Sequence, residues 1–184
     1  MPRAALSQDT VVDLAMRAVD EGGPEALTLS ALAARAGVAT PSLYKHVRNL
    51  AELRELLSVR ITDEISDALG QAVLGRSGEE AVGALMDAWR AYVTRHPHRY
   101  AMVIQQPHPG MRTAGERLMG IMLAALRGYG LAGSDAIHAA RCLRAAAHGF
   151  AVLEASGAFG LPELLDESYD LLKHMVVAGL ATPR

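Results

Sequence analysis

The chain of 184 residues contains one cysteine, one tryptophan, two phenylalanines and five tyrosines. A single cysteine excludes an intrachain disulfide and a cysteine-rich zinc site, and Cys142 is expected to be a small buried hydrophobic residue. No apolar run reaches the roughly 18 residues that cross a bilayer. The start, MPRAALSQDTVV, has no apolar stretch of a secretory signal. The cytoplasm is therefore the expected compartment.

Enzyme signatures are also lacking. The chain has no phosphate loop, nucleophile elbow, dinucleotide-binding glycine fingerprint or pair of Glu-x-x-His motifs. His96, His98 and His108 do not form a metal motif, since only the first two are close and they flank a proline. The sequence thus predicts no catalytic residue, no metal site and no cofactor, although a helical enzyme remains an alternative.

Helix-forming residues dominate what is present. Ala, Leu, Arg and Glu are abundant, β-branched runs are scarce and 51% of residues are hydrophobic, which favours an all-α fold with a substantial core. The net charge of −2 argues against a general nucleic-acid binder. Positive charge is nevertheless local, because residues 35–60 carry an excess of basic side chains over Glu52 and Glu55. These basic residues are Arg35, Lys45, Arg48, Arg54 and Arg60.

The first sixty residues have the pattern of a helix-turn-helix. Apolar residues at helical spacing predict a first helix that Ser7 or Asp9 caps and EGGPE ends. Thr28 is suited to cap a second helix, and Gly37 to end it in the left-handed conformation. The second of these helices is the first element of the helix-turn-helix, and the longer first helix lies before it.

The third helix, which is the second element of the helix-turn-helix, is short. Thr40 is predicted as its N-cap and Pro41 as its first residue, with Leu43 and Val47 facing inward. Asn49 and Glu52 resemble a capping box that starts a long helix. The remaining side chains of the short helix then point outward, and they are Ser42, Tyr44, Lys45 and His46.

Residues 7–57 resemble the DNA-binding domain of the TetR family of bacterial transcription regulators. The stretch LTLSALAARAGVATPSLYKHVRNLAELRELL carries the resemblance, because it fixes spacing, capping and residue type together. The resemblance implies a DNA-binding domain at 1–58 and a helical effector-binding and dimerisation domain at 59–184, with about nine helices in total. The expected function is that of a dimeric repressor, which a small, mostly apolar effector releases from an inverted-repeat operator. A protein partner as effector, or no effector, remains open.

The expected DNA contacts combine this resemblance with residue chemistry. The resemblance assigns phosphate contacts to Tyr44 and Lys45. The N-terminus of the helix that Thr28 caps favours a phosphate. The candidates close to the bases are Thr40, Pro41, Ser42 and His46. Core packing of Tyr44 and a plain surface role for His46 are the alternatives.

The remaining candidates concern the effector. Long aromatic, aliphatic and methionine side chains are expected to line an apolar cavity, although each is equally suited to an ordinary core. Arg144 and His148 share a helix stripe with Arg141, and this stripe is suited to an acidic effector or to ion pairs across a dimer. The apolar candidates are Trp89, Tyr92, Met102, Ile104, Met119, Met122 and Leu123.

The last two helices are the expected dimer contact. They are predicted at about 135–156, with Ser134 as cap, and at about 162–180, with Pro162 as first residue. Many alanines and Gly149 permit close helix approach, so we expect a four-helix bundle formed with a second copy. The expected partners are therefore operator DNA, a second copy of the chain and a small molecule, without a membrane.

Overall fold

A computed structural model of the protein describes residues 6–104 and 109–181. Within these ranges the regular structure is helical throughout and includes nine α-helices, so the predicted all-α class is confirmed. The helices are α1 Gln8–Gly22, α2 Leu29–Ala36, α3 Thr40–Leu43, α4 Leu50–Val73, α5 Gly78–Arg95, α6 Pro97–Ile104, α7 Arg112–Leu126, α8 Gly133–Ala155 and α9 Leu165–Ala181.

The chain divides into two compact units. Unit 1 contains the described residues up to Thr62 together with the described part of 98–112, and unit 2 contains 63–97 and the described residues from Thr113 onward. This division follows the packing of the chain, and it does not give the boundary of a functional domain. The boundary between residues 58 and 59 therefore stays a prediction. No helix of the described ranges is long and apolar enough to cross a membrane.

The predicted caps of α1 and α2 are confirmed. The Ser7 side chain accepts a hydrogen bond from the Thr10 backbone N–H, and Thr28 does the same for Ala31 at 3.2 Å. Gly37 follows α2 with φ 66° and ψ 35°, a left-handed conformation that glycine adopts without steric cost.

The start of α3 differs from the prediction by one residue. Ala39 is the N-cap, Thr40 begins the helix and Pro41 is its second residue, so the prediction of Thr40 as cap was wrong. The reason is the backbone: Ala39 is extended, and its carbonyl accepts a hydrogen bond from the Ser42 N–H at 2.8 Å. The helix lasts only one turn.

The capping box before α4 is confirmed in a modified form. The Glu52 N–H donates to Asn49 Oδ1 at 2.9 Å. The Glu52 carboxylate returns a bond to the Arg48 backbone N–H, one residue before the cap. This box fixes the path of the chain from α3 into α4.

Unit 2 is built around α5, α8 and α9. Trp89 of α5, Leu143 of α8 and Tyr169 of α9 are almost fully buried. The predicted cap Ser134 was wrong, because Ala132 is extended and occupies that position before α8. The predicted first residue Pro162 was also wrong. Residues 161–163 form bends, and the Leu164 carbonyl accepts the Ser168 N–H as α9 begins at Leu165.

Candidate nucleic-acid interface and effector region

The segment made of α3 and the turn after it, residues 40–47, is held by two apolar side chains and displays two polar ones. Leu43 is 0% exposed and Val47 is 2% exposed, as their spacing predicted. Tyr44 is 55% exposed and Lys45 is also exposed, so core packing of Tyr44 is excluded. An apolar inner face with an outward phenol and ammonium is the arrangement that a recognition helix needs.

The other predicted DNA contacts lie in the same part of unit 1. Pro41 is exposed, whereas Thr40, Ser42 and His46 are half-buried. Thr28 is exposed at the N-terminus of α2, where its hydroxyl already accepts the Ala31 N–H.

Charges around α3 are only partly neutralised. Arg48 pairs with Glu52 at 3.0 Å, and the Arg48 backbone N–H is the main reason why the pKa of Glu52 is lowered. Within the described residues, Lys45 and Arg54 form no ion pair. Lys45 is therefore available to a phosphate without breaking an internal bond.

A contact that the sequence did not reveal joins α1 to the chain after α3. The Gln8 side chain donates from Nε2 to the His46 carbonyl at 3.2 Å. The two residues are 38 positions apart, and a polar side chain at a helix start carries no mark of such a partner.

The predicted effector residues differ in burial and location. Trp89 and Met122 are each 1% exposed in unit 2, and Met102 is buried in unit 1. Tyr92 is half-buried and donates its hydroxyl to Glu64 Oε2 at 2.8 Å. Ile104 closes α6, but its side chain lies outside the described residues. The remaining candidates lie in unit 2, where Met119, Leu123 and His148 are half-buried and Arg144 is exposed.

A groove of about 500 Å³ opens in unit 2 beside α8 and α9. None of the predicted effector residues lines it. Its wall includes Cys142, which is exposed and not buried as expected, because it lies on the side of α8 that faces away from the core of unit 2. The groove is lined by Tyr129, Leu131, Asp135, Ala139, Cys142, Leu143, Met175, Val176, Gly179, Leu180 and Ala181.

Unit 2 contains a partly buried cluster of Arg90 with two carboxylates that sequence reasoning missed. Arg90 donates through Nε and Nη2 to the two carboxylate oxygens of Glu154, each at 2.6 Å, and its Nη1 lies 2.7 Å from Asp166. The guanidinium carbon is 4.7 Å from the Tyr169 ring centroid. These carboxylates raise the pKa of Arg90, with the hydrogen bond to Glu154 as the largest cause. Glu154 is 64 residues from Arg90, so no local pattern indicates the pair.

Large apolar side chains are exposed along α8, α9 and the loop between them. Leu164, Leu171 and Met175 are 65%, 61% and 63% exposed, and their spacing of seven and four residues gives a single stripe along α9 and the residue before it. The other exposed members are Ile137, Leu153, Phe159 and Leu161. Such a patch is typical of a surface that another protein covers.

The histidines of the described residues do not converge on a metal. Among the described residues, no group of three His, Cys, Asp or Glu side chains is placed to hold an ion. His98 Nδ1 lies 3.2 Å from the Asp20 carbonyl, and the His96 ring lies 5.2 Å from that of Tyr92. His108 lies outside the described residues.

Comparisons with known proteins agree with this arrangement. Residues 11–56 match the family described as bacterial regulatory proteins, tetR family, and residues 82–176 match the tetracyclin repressor-like C-terminal domain. An uncharacterized HTH-type transcriptional regulator of Mycobacterium tuberculosis is 35% identical over 158 residues, which are 84% of this chain and 72% of that protein. The uncharacterized HTH-type regulator YobS of Bacillus subtilis is 32% identical, over 97% of this chain and 95% of that protein.

A solved structure extends the likeness in fold. A TetR variant from Acinetobacter baumannii in complex with minocycline has a TM-score of 0.72 and 18% identity, covering 95% of this chain and 96% of that one. The chain belongs to the TetR family of transcriptional regulators and carries its helix-turn-helix DNA-binding segment.

Proposed function

We propose that this member of the TetR family is a cytoplasmic homodimeric repressor, which a small and mostly apolar effector releases from an inverted-repeat operator. The observation that carries the proposal is the exposed pair Tyr44 and Lys45 on the turn after α3, which Leu43 and Val47 anchor. Tyr44 and Lys45 bind backbone phosphates. Base edges are read by Thr40, Pro41, Ser42 and His46, and Thr28 places the N-terminus of α2 against a further phosphate.

The exposed apolar stripe of α9 supports the dimer. Leu164, Leu171 and Met175 need a cover, and the neighbouring face of α8 carries small residues such as Ala145 and Gly149, which permit close approach. A two-fold axis lets the same surface serve both copies. The recognition helices of the bound dimer then lie about one DNA turn apart, roughly 34–36 Å, which requires an inverted-repeat operator.

The effector site is proposed in the helical domain. Trp89, Tyr92, Met119, Met122 and Leu123 supply apolar surface, and the minocycline complex of the structural relative supports a small-molecule ligand. Arg144 and His148 offer polar contacts at its edge, whereas Met102 and Ile104 belong to unit 1 and are not included in this site. A ligand acts by binding one of two dimer states better, typically with a coupling of about 1–3 kcal/mol.

The long helix α4 provides a covalent path for this coupling. It runs from Leu50 to Val73 without a break and contributes residues to both compact units. A displacement of its second half therefore reaches Asn49 and the capping box that leads from α3. We expect such a displacement to misplace Lys45 relative to its phosphate.

The decisive experiment is selection of bound duplexes from a random pool by the full chain, with and without apolar metabolites. Enrichment of an inverted repeat, lost when one metabolite is added, is the expected result. Enrichment without any metabolite effect favours control by a protein partner or no effector. Failure to enrich any sequence contradicts the repressor proposal.

A further inference from the structure

The helix that is expected to read the DNA is very short for its task. α3 has four residues, and no side chain caps its start. Beyond it, the N–H groups of His46 and Val47 both turn back to the Leu43 carbonyl, at 2.9 and 3.0 Å. Three of the proposed DNA contacts, Tyr44, Lys45 and His46, therefore lie on a turn that is not supported by a longer helix.

One side chain from elsewhere in unit 1 fixes the far end of this turn. Gln8 Nε2 donates to the His46 carbonyl at 3.2 Å. The direction of this carbonyl follows the orientation of the peptide that joins His46 to Val47. The bond therefore restrains the turn next to the buried Val47. The bond adds a polar restraint to the packing of Leu43 and Val47.

The helix that bears Gln8 is itself firmly placed. Val11, Ala15 and Val19 are 0% exposed, so one face of α1 lies in the core of unit 1. On its other side, Arg60 of α4 lies 3.5 Å from Asp13 and 3.8 Å from Asp9. Gln8 is the first residue of this helix, and its amide therefore reaches the turn from a fixed point.

We propose that Gln8 is a positioning residue for DNA recognition, which holds the turn of Tyr44, Lys45 and His46 in the orientation that reads base edges. The inference rests on the proposed function, and it adds a residue outside the helix-turn-helix to the determinants of sequence preference. Gln8 acts through the His46 carbonyl and not through a contact of its own with the DNA.

The test replaces the amide and keeps the shape. Gln8→Met retains an unbranched side chain with a similar helix propensity but removes the donor. Gln71→Met is the matched control, because Gln71 is an exposed glutamine of α4 in unit 2. The readouts are affinity for the duplex that the unaltered chain selects, affinity for its single-base variants, and the dependence of both on salt.

For Gln8→Met we expect affinity for the best duplex to fall about threefold to tenfold, the range that loss of one hydrogen bond produces. The ratio between the best duplex and its single-base variants should shrink, whereas the salt dependence should stay unchanged because no phosphate contact is lost. Gln8→Lys keeps a donor of similar reach and should recover the discrimination. Gln71→Met should match the unaltered chain, and the thermal midpoint of Gln8→Met should fall by no more than a few degrees, as loss of one hydrogen bond allows.

Three results would overturn the inference. Unchanged discrimination in Gln8→Met means that the bond does not orient the turn. A salt dependence lower by about one unit, with discrimination kept, means that Gln8 binds a phosphate directly. Equal loss in Gln8→Lys and Gln8→Met means that the donor is not the cause. Failure of the unaltered chain to select any duplex removes the proposed function itself, and this inference with it.

Discussion

The two compact units expose different chemistry. Among the described residues of unit 1, Tyr44 is the one large apolar or aromatic side chain with high exposure, and its hydroxyl suits a phosphate. Unit 2 exposes a whole series of such side chains, concentrated on α8, α9 and the loop between them. The difference fits the proposed partners, a charged polymer for unit 1 and another apolar protein surface for unit 2.

The placement of charge differs in the same sense. Around α3, Arg48 pairs with Glu52 at the surface, with 81% of the Arg48 side chain exposed. In unit 2, Arg90 and Glu154 are each only 18% exposed and join α5 to α8, while Asp166 extends the cluster to α9. The surface pair of unit 1 contributes little to stability, whereas the cluster of unit 2 is costly to break.

The largest effect is therefore expected at Arg90. Arg90→Met leaves Glu154 without its bidentate partner inside unit 2, and we expect a loss of about 3 kcal/mol in the free energy of unfolding. This value is the lower end of the roughly 3–5 kcal/mol for breaking a buried pair, because part of the side chain reaches solvent. Urea unfolding followed by circular dichroism measures it.

Arg95→Met provides the control for this prediction. Arg95 ends the same helix, is exposed and forms no ion pair among the described residues. It should change stability by less than about 0.5 kcal/mol. Equal losses in the two variants would show that the Arg90 cluster contributes no more than a surface charge.

The second effect concerns assembly. Leu171→Glu places two carboxylates, one from each copy, in the proposed apolar contact, and we expect dimer affinity to fall more than about a hundredfold. Leu74→Glu is the matched control, because Leu74 is 74% exposed but lies in the segment between α4 and α5. Light scattering at micromolar concentration measures the change. A monomer already present in the unaltered chain would contradict the proposed dimer.

The third effect concerns the DNA-binding surface of unit 1. Lys45→Ala should weaken binding to all duplexes and lower the salt slope by about one unit, as loss of one phosphate contact does. Tyr44→Phe should weaken binding without changing base preference. Altered base preference with an intact salt slope in Lys45→Ala would refute the phosphate assignment.

The fourth effect tests the effector site. Trp89 is the single tryptophan and is almost fully buried, so its fluorescence should change when an effector enters the proposed cavity. Met122→Ala and Tyr92→Ala should weaken release from the operator. If an effector causes release while Trp89 emission stays unaltered and neither substitution has an effect, the effector binds elsewhere. The groove at Cys142 and Met175 would then become the next candidate.

The two units also differ in how much of their structure could be predicted from the sequence. In unit 1 the residues that determine the helix ends are close together in the sequence. Thr28 caps α2 by accepting the N–H of Ala31, three residues later, Gly37 ends α2, and Asn49 with Glu52 begins α4. The error at Thr40 arose because an extended Ala39 caps with its carbonyl alone, which no side chain indicates.

In unit 2 the determinants join distant positions. Arg90 meets Glu154 across 64 residues, and Tyr169 donates to the Met86 carbonyl across 83. Helical periodicity predicts that α5, α8 and α9 exist, but not which polar groups meet inside them. The same limit applies to Gln8 and His46 in unit 1. The starts of α1, α2 and α4 were thus predicted correctly, those of α3, α8 and α9 were not, and the cross-helix contacts could not be predicted.

The smallest effect is a pH dependence at His148 in unit 2. Burial, with the neighbouring Arg144 charge as a second cause, lowers the pKa of His148 below its ordinary 6.5. In the unfolded chain the imidazole takes up a proton near that value, whereas the folded protein resists protonation. As pH falls through about 6.5, the unfolded state binds more protons, and this group then reduces stability; above that range both states are neutral and it contributes nothing.

The titration of the His148 ring, followed by NMR and assigned with His148→Gln, should therefore have a midpoint below 6.5. Arg144→Met should raise that midpoint and lessen the loss of stability on acidification. Arg141→Met is the control, since Arg141 is an exposed arginine one turn earlier on the same helix and is not among the causes of the shift. If the midpoint responds equally to both substitutions, His148 senses the overall charge of the helix. If the midpoint lies at 6.5 and responds to neither substitution, unit 2 does not bury this ring enough to restrain its protonation.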